Sequence, residues 1–541
     1  MDRKNVLYIF NDIGFGGAAQ SLLDMLVGIK NSVNPIVVVR EDIIIEEKFI
    51  EAGIKYYKVC FSVDYVKIGT ADENKKTYDL VQSYEAALQL LSIIKREKIQ
   101  LIHINSSVTY FAAIAALIAG IPYVWHIREL LEEHFECEFL NWEIKEKLYK
   151  QADKLIAISD YVEKTYYEKY SLKTIRIYDG LNIKRYKKHI EITKNFNRTF
   201  IVPGAITPEK GQLDIVKASE ILVARGFCDF KIIIVGNGSD DYVWALKKYI
   251  KRKKLDKNIC ILPYCDELSH LRNQAAYAIT SSQNEALGRV TIEAMLSGNF
   301  VIGAKSGGTT EIVGAKEERG MLYELHNSEA LADAMIRVIK CPAEDKNLII
   351  KAAQEYAEKA FDLGRYCEIL DELYDAVLIS YKPKEQGDLL DVIKEKYEKN
   401  NNITLGECGD AVIRYKKSEA ALGLALKWIK IKQKGYDLAE YFIKNDIQNI
   451  SIYGMAALGK RLYDELENSG IEVRYLMDKN PKQMDKLLEF ISPDQEWLEV
   501  DAIIVTVALS EKQIIDGFIE QGYEKVIGLS EVLDSFNEKI M

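Results

Sequence analysis

The chain has 541 residues, of which 48% are hydrophobic and 28% are charged, as is typical of globular proteins in water. A chain of this length is too long to fold around a single hydrophobic core, so several domains are expected. The formal net charge is −10, which argues against nucleic acid as a partner of the whole chain. The eight cysteines form no C-x-x-C pair, so neither a zinc site nor a disulfide framework is indicated.

The first part of the chain alternates short apolar strands with apolar-periodic helices. Strands are predicted at residues 5–10, 35–39, 101–104, 123–126 and 153–159, and helices at residues 20–28, 77–98, 109–119 and 161–170. This alternation predicts a parallel, doubly wound sheet. A turn with Gly16 and Gly17 follows the first strand, and such a strand–glycine–helix arrangement can cradle a phosphate.

Two histidines and an arginine stand out in this part. His126 ends a strand, where ligands of open α/β sheets gather, so we predict a functional role for it. His103 lies inside a strand and is predicted to be a hydrogen-bonded core residue. For Arg128 two interpretations stay open: it binds an anionic acceptor, or it pairs with Glu129 or Glu132.

A second alternation begins at residue 200. Strands are predicted at residues 200–203, 231–235, 259–262, 277–280 and 300–303, and helices at residues 212–224 and 243–254. The helix over 243–254 is basic and is predicted to be a solvated outer face, given the acidic whole. The loop after the first of these strands carries Lys210.

The stretch after residue 280 contains the most informative pattern. Glu285 lies on a polar loop, a helix is predicted from Gly288 to about Ser297, and Glu293 lies inside that helix, seven residues after Glu285. The helix N-terminus between the two carboxylates suits a diphosphate. Each carboxylate can then accept hydrogen bonds from hydroxyls, which fits a sugar at one end and a ribose at the other.

This pattern, together with the later segment from Ser306 to Glu311, resembles the E-x7-E motif of family-four glycosyltransferases, which are retaining enzymes. The resemblance runs from about residue 6 to residue 378. It implies an α/β GT-B fold: an acceptor-side domain at 1–198 with a crossing helix at 365–381, and a nucleotide-sugar-binding domain at 199–364. It implies catalytic roles for His126, Glu285 and Lys210, and donor binding by Gly16, Gly17, Lys210, Glu285, Gly288, Arg289, Val290, Glu293, Gly308 and Thr309.

Two positions depart from the family pattern. Ala205 stands where the family has an arginine that binds the diphosphate, and we hypothesise that Arg289 supplies the missing charge. The alternative is that Arg289 covers a surface. Asp179 stands where asparagine is usual. There is no convincing D-x-D motif, so the resemblance implies a metal-independent reaction without a cofactor, with the nucleotide sugar as co-substrate.

The remaining chain is predicted to hold a linker and helical lead-in at 382–445 and a smaller Rossmann-like domain at 446–541. Gly454, Gly459 and Asp478 match part of a dinucleotide-binding fingerprint. They define a candidate accessory nucleotide site, although a degenerate module for assembly or acceptor docking is the favoured interpretation. Homo-oligomerisation through this module stays open.

The predicted function is transfer of a hexose-type sugar from a nucleotide sugar, expected to be UDP-linked, to a hydroxyl during synthesis of a cell-surface glycan or glycoconjugate. The acceptor can be a glycan, a lipid-linked sugar or a protein. Residues 1–10 show no signal peptide, which predicts a cytoplasmic protein, with peripheral contact to the inner membrane face left open. Two alternatives remain: a non-catalytic GT-B partner subunit of another glycosyltransferase, and a nucleotide-sugar epimerase.

Overall fold

The structure is a computed structural model of the chain. It describes residues 3–11, 17–43, 45–187, 197–265, 268–383, 387–400, 407–467, 469–478, 488, 490 and 499–540. The chain divides into two compact units, one formed by Met1–Asn237 with Leu255–Leu405 and the other by Gly238–Lys254 with Gly406–Met541.

The first half of the first unit is built on a seven-stranded parallel sheet in the order β3-β2-β1-β5-β6-β8-β9. Its strands, with the antiparallel pair β4 and β7, are β1 (Lys4–Phe10), β2 (Val33–Arg40), β3 (Lys55–Val59), β4 (Tyr65–Lys67), β5 (Leu101–Ile104), β6 (Tyr123–Ile127), β7 (Cys137–Phe139), β8 (Lys154–Ala157) and β9 (Ile175–Arg176). Its helices are α1 (Gly17–Gly28), α2 (Glu46–Glu51), α3 (Glu73–Glu97), α4 (Phe111–Ala119), α5 (Leu131–Phe135), α6 (Trp142–Gln151), α7 (Asp160–Tyr170) and α8 (Ile183–Tyr186).

The second half carries a six-stranded parallel sheet in the order β12-β11-β10-β13-β14-β15. Its strands are β10 (Thr199–Pro203), β11 (Lys231–Val235), β12 (Ile259–Leu262), β13 (Tyr277–Thr280), β14 (Phe300–Ala304) and β15 (Met321–Tyr323). The helices of this stretch are α9 (Gln212–Ala224), α10 (Asp240–Arg252), α11 (Ser269–Gln274), α12 (Arg289–Leu296), α13 (Gly307–Val313), α14 (Ser328–Lys340), α15 (Ala343–Ala360), α16 (Leu363–Ser380) and α17 (Gly387–Asn400). By its contacts, α10 belongs to the second unit.

Helices α16 and α17 pack on the first half. On α16, Tyr374 is buried against the first sheet, and its hydroxyl lies 3.3 Å from that of Tyr8. On α17, Leu389 and Ile393 are buried in the larger core of the unit, and the Tyr397 ring stands 4.7 Å from that of Tyr84 on α3. Of the stretch predicted as a linker and helical lead-in at 382–445, α17 therefore packs on the first unit beside α3, whereas the chain from residue 406 onward belongs to the second unit.

The second unit contains a four-stranded parallel sheet in the order β17-β16-β18-β19. Its further elements are α18 (Glu407–Gln433), α19 (Ala439–Lys444), β16 (Asn449–Tyr453), α20 (Ala457–Leu466), β17 (Glu472–Met477), β18 (Ala502–Val505), α21 (Glu511–Glu520), β19 (Val526–Gly528), α22 (Leu529–Asp534) and α23 (Asn537–Ile540). The predicted α/β fold with an additional C-terminal sheet domain is confirmed.

The basic helix α10 is more covered than its sequence indicates. The Lys248 ammonium lies 2.6 Å from Asp464 and 3.0 Å from Glu467, both from the region of α20. The Trp244 ring also stands edge-on to Tyr463 at 5.5 Å. The prediction of a solvated outer face was therefore incomplete, because the basic side chains have acidic partners far away in the sequence.

Candidate active site

Two cavities adjoin at the N-terminus of α12. The larger, of about 700 Å³, is lined by Lys210, Glu285 and Gly288, and the smaller, of about 350 Å³, by Glu293. Six residues line both cavities, namely Gly17, Pro203, Gly204, Ala205, Arg289 and Val290. The crevice therefore places one glutamate on each side of a helix N-terminus, whose first N–H groups lack partners within the helix.

Lys210 and Glu285 form an ion pair inside the larger cavity. Hydrogen bonds between their loops fix this geometry. The Ser281 hydroxyl donates to the Lys210 carbonyl at 2.6 Å, and the Gln283 N–H donates to the Glu209 carbonyl at 2.8 Å. Gly211 has φ +70°, and a Cβ there would collide with the Ser281 carbonyl oxygen. The close approach of these two loops therefore requires glycine.

The segment that begins α13 supports the Glu285 loop from behind. The Gly308 N–H donates to the Glu285 carbonyl at 2.7 Å, and Thr309 is fully buried. Neither Gly308 nor Thr309 is among the described residues that line the two cavities. Gly308 therefore holds the loop in position through its backbone N–H, and donor binding by Gly308 and Thr309 stays a prediction.

Arg289 is the most exceptional side chain of the site. Its side chain is only 11% exposed, and its three guanidinium nitrogens have no hydrogen-bond partner in the described parts of the chain. The nearest carboxylates are those of Asp24 and Glu293, each at 3.8 Å. Because Arg289 and Ala205 line the same two cavities, a guanidinium is available where the family arginine is missing.

Glu293 is held by Arg272, a residue that sequence reasoning missed. The Arg272 guanidinium is 2% exposed and donates to one oxygen of the Glu293 carboxylate. Arg272 lines the smaller cavity together with Arg185, whose guanidinium donates to the Gln20 side chain at 2.7 Å. No local pattern marks Arg272, because its partner lies on the far side of a strand and a loop.

His126 is fully buried in the first sheet and is not among the described residues that line either cavity. Its ring stands 5.5 Å from that of His103, and both of its ring nitrogens lack a described hydrogen-bond partner. Burial lowers the pKa of His126 well below its ordinary value, so the ring is neutral. A catalytic role for His126 stays a prediction, and in this arrangement its ring does not reach the crevice.

His103 and Arg128 are both accounted for by partners within the first unit. The Nδ1 of His103 lies 2.6 Å from the Tyr374 hydroxyl, as expected of a core histidine. Arg128 lines the larger cavity, but it forms a buried ion pair with Asp179 and donates to Ser21 at 2.8 Å. Its partner is therefore neither of the two glutamates considered from the sequence.

Of the two glycines predicted to cradle a phosphate, Gly17 belongs to the described residues. Gly17 begins α1 and lines both cavities. A Cβ added to Gly17 would lie 4.0 Å from its nearest neighbour, the Cδ of Arg289, so the position has room for a side chain. Gly16 lies outside the described residues. The other cavity-lining predictions, Lys210, Glu285, Gly288, Arg289, Val290 and Glu293, meet in one crevice as expected.

In the C-terminal module, Gly454, Gly459 and Asp478 lie close together and are in contact with neighbouring backbone atoms. The Asp478 carboxylate accepts the Met455 N–H at 2.9 Å, next to Gly454, whose φ is +96°. A Cβ on Gly459 would collide with the Gly454 carbonyl, so this glycine lets α20 approach β16. Nucleotide binding by Gly454, Gly459 and Asp478 stays a prediction.

Among the described residues, no group of three or more His, Cys, Asp and Glu side chains is placed to hold a metal ion. Metal independence nevertheless stays a prediction. Every described helix is too short or too polar to cross a bilayer.

Two Rossmann-like halves facing a crevice, with acidic residues on both sides of a helix N-terminus, define a GT-B glycosyltransferase. Two family models match the chain: Glycosyltransferase Family 4 over residues 16–185 and Glycosyl transferases group 1 over residues 184–356. The chain belongs to the family-four glycosyltransferases.

Relatives and solved structures agree with this assignment. A glycosyltransferase from Haemophilus influenzae is 26% identical over 53% of this chain and 79% of its own length. The Escherichia coli UDP-Gal:alpha-D-GlcNAc-diphosphoundecaprenol alpha-1,3-galactosyltransferase is 22% identical over 56% of this chain and 82% of its own length. The structure of Anabaena HepE in complex with UDP and glucose has a TM-score of 0.58 at 24% identity, covering 69% of this chain and 100% of that one.

Proposed function

We propose that this glycosyltransferase moves a hexose-type sugar from a UDP-linked donor to a hydroxyl acceptor, with retention of anomeric configuration, in the synthesis of a cell-surface glycan or glycoconjugate. The observation that carries this proposal is the single crevice in which Glu285 and Glu293 lie on either side of the α12 N-terminus. UDP as the nucleotide is supported by the printed names of the galactosyltransferase relative and the HepE complex.

The donor diphosphate lies against the first turn of α12, where free N–H groups and the helix dipole favour negative charge. Lys210 and Arg289 supply the cations. Both can stabilise the charge that develops on the departing diphosphate, and such positioned charges are worth most in a site from which water is excluded. These cations support the proposal that the reaction is metal-independent.

The two glutamates orient the ends of the donor. Glu285 accepts hydrogen bonds from sugar hydroxyls, and the diphosphate takes over its present partner, Lys210. Glu293 accepts from the ribose, while Arg272 holds its other oxygen and thereby its orientation. The resemblance to retaining enzymes implies front-side attack with the leaving phosphate as the base, and this mechanism assigns no nucleophile to the chain.

The acceptor is the least constrained part of the proposal. Glu129 lines the larger cavity and is held by the Ser106 hydroxyl at 2.8 Å and the Ser107 N–H at 2.7 Å, so a fixed carboxylate faces the acceptor side. Such a group selects hydroxyls over anions. A lipid-linked sugar acceptor is supported by the name of the galactosyltransferase relative.

The first experiment is a thermal-shift screen of nucleotide sugars on the purified full chain, because a bound donor raises the melting temperature by mass action. The donor identified in this way is then incubated without acceptor. Slow release of free sugar, lost in Glu285→Ala, supports a catalytic transferase. No hydrolysis and no transfer would favour a partner subunit, and an isomerised donor would favour an epimerase. Proton NMR of the released sugar's first-formed anomer tests retention.

A further inference from the structure

Helix α18 of the second unit is apolar on two opposite faces. One face packs inward, where Trp428 and Ile431 are buried and the Trp428 indole donates to Glu465 at 2.8 Å. The other face carries Leu422, Leu426 and Ile429, which are 59%, 52% and 51% exposed. Their spacing of four and three residues aligns them along one side of the helix. In the described part of the unit, nothing covers this stripe.

Basic residues flank the stripe on both sides. Lys430 is exposed on α18, and Arg461 of α20 lines a cavity of about 630 Å³ together with Ile429. Neither Lys430 nor Arg461 has an ion-pair partner in the described part of the chain, whereas Lys432 between them is neutralised by Asp437 and Glu465. In a chain with a net charge of −10, this is a local surface of uncompensated positive charge.

We propose that this surface, formed by Leu422, Leu426, Ile429, Lys430 and Arg461, rests on an anionic lipid bilayer. Aliphatic side chains enter the boundary between head groups and acyl chains, and flanking basic residues attract anionic head groups. The inference does not depend on the proposed sugar or acceptor. It assigns the C-terminal module a part in localising the enzyme.

Two other occupants fit the surface less well. In a pair of identical chains joined stripe to stripe, Lys430 and Arg461 of both copies would be brought to the same interface, and like charges there oppose association. Hot spots of protein interfaces are enriched in Trp, Tyr and Arg, whereas Leu is under-represented. The stripe itself is aliphatic, and Trp428, which precedes Ile429 on α18, is turned inward and buried.

The test is co-sedimentation of the full chain with vesicles of phosphatidylcholine alone or mixed with phosphatidylglycerol. We expect binding to the mixed vesicles, weakening as salt is added because the attraction is screened. The triple variant Leu422→Ser, Leu426→Ser, Ile429→Ser should lose about tenfold or more in binding, as should Lys430→Glu with Arg461→Glu.

Matched controls come from α21 of the same unit. Ile519 is 52% exposed and Lys512 is exposed, so Ile519→Ser and Lys512→Glu should bind as the unaltered chain does. Unchanged melting temperatures show that the stripe variants still fold. Binding that survives the triple variant, or equal binding to neutral vesicles, overturns the proposal. No vesicle binding overturns it in favour of an acidic protein partner, and a dimer in light scattering that Leu426→Ser dissolves overturns it in favour of a second copy.

Discussion

Replacing Arg289 with alanine removes a buried guanidinium that lines both cavities and lacks a hydrogen-bond partner in the described residues. We expect UDP to bind more weakly, because Arg289 is free to contact the diphosphate from the side of the crevice that Ala205 leaves without charge. A hydrogen bond to a charged group contributes about 1.5–3 kcal/mol, which corresponds to roughly 10- to 150-fold in affinity. The carboxylates of Asp24 and Glu293 at 3.8 Å offset part of the charge, so the lower end of this range is expected.

The chain offers a reciprocal control for this prediction. Ala205 lines the same two cavities, so the double variant Arg289→Ala, Ala205→Arg should recover a large part of the affinity. Uridine has no diphosphate, and its weaker binding should be unaffected by Arg289→Ala. Isothermal titration with UDP and competition with uridine measure both effects, and the melting temperature of each variant reports folding.

Two results would refute the reasoning about Arg289. Unchanged UDP affinity in Arg289→Ala would show that the guanidinium does not meet the diphosphate. An equal loss for UDP and uridine would show that the substitution reshapes the cavity without removing a phosphate contact.

Three further substitutions test other parts of the site and its surroundings. Glu293→Gln should weaken donor binding about tenfold, because a neutral amide accepts hydrogen bonds from ribose hydroxyls less well and no longer pairs with the Arg272 guanidinium. Equal donor affinities of the two proteins in calorimetric titration would contradict this. Glu311 accepts hydrogen bonds from the Asp160 and Tyr161 N–H groups at 3.1 Å and so joins the two halves of the first unit. Glu311→Gln should therefore raise the donor KM severalfold more than it lowers kcat, whereas Glu329→Gln on an exposed helix should change neither. Burial raises the pKa of the Asp79 carboxyl to about 7 from its ordinary value of 3.8. Between these two pH values the folded protein keeps a proton on Asp79 that the unfolded chain has released. The contribution of Asp79 to the free energy of unfolding therefore falls as the pH rises from 3.8 to about 7. Asp79→Asn should therefore raise the melting temperature more at about pH 8 than at about pH 5, and a pH-independent shift would be the contrary result.

The elements that position the site could be predicted because their signals are local. The strands at Lys231–Val235 and Tyr277–Thr280 are continuous apolar runs, and both have the predicted bounds. Gly288 precedes α12 with φ +88°, a conformation that favours glycine. Parallel pairing of β10 with β13 then brings the ends of these two strands to one edge of the sheet, which places Lys210 beside Glu285.

What could not be predicted depends on contacts between distant residues and on side-chain direction. Arg272 reaches Glu293 across 21 positions, and Asp464 meets Lys248 across more than 200, with no periodic pattern to indicate either pair. His126 lies one residue before the end of its strand, which runs to Ile127, and strand position alone does not tell on which side of the sheet an alternating side chain lies. In the structure it lies against His103.

The two departures from the family pattern have neighbours that account for them. Where the usual asparagine is replaced by Asp179, the added negative charge lies within a buried ion pair with Arg128, and the Ser21 hydroxyl donates to it at 2.8 Å. A buried charge without such a partner would be strongly destabilising. The presence of Asp179 is therefore explained by Arg128, because each side chain neutralises the other. At Ala205 a positive charge is lost, and Arg289, which lines the same two cavities, is the residue that we propose replaces it. The first departure thus adds a charge that has a partner, and the second removes a charge for which a neighbouring guanidinium is available.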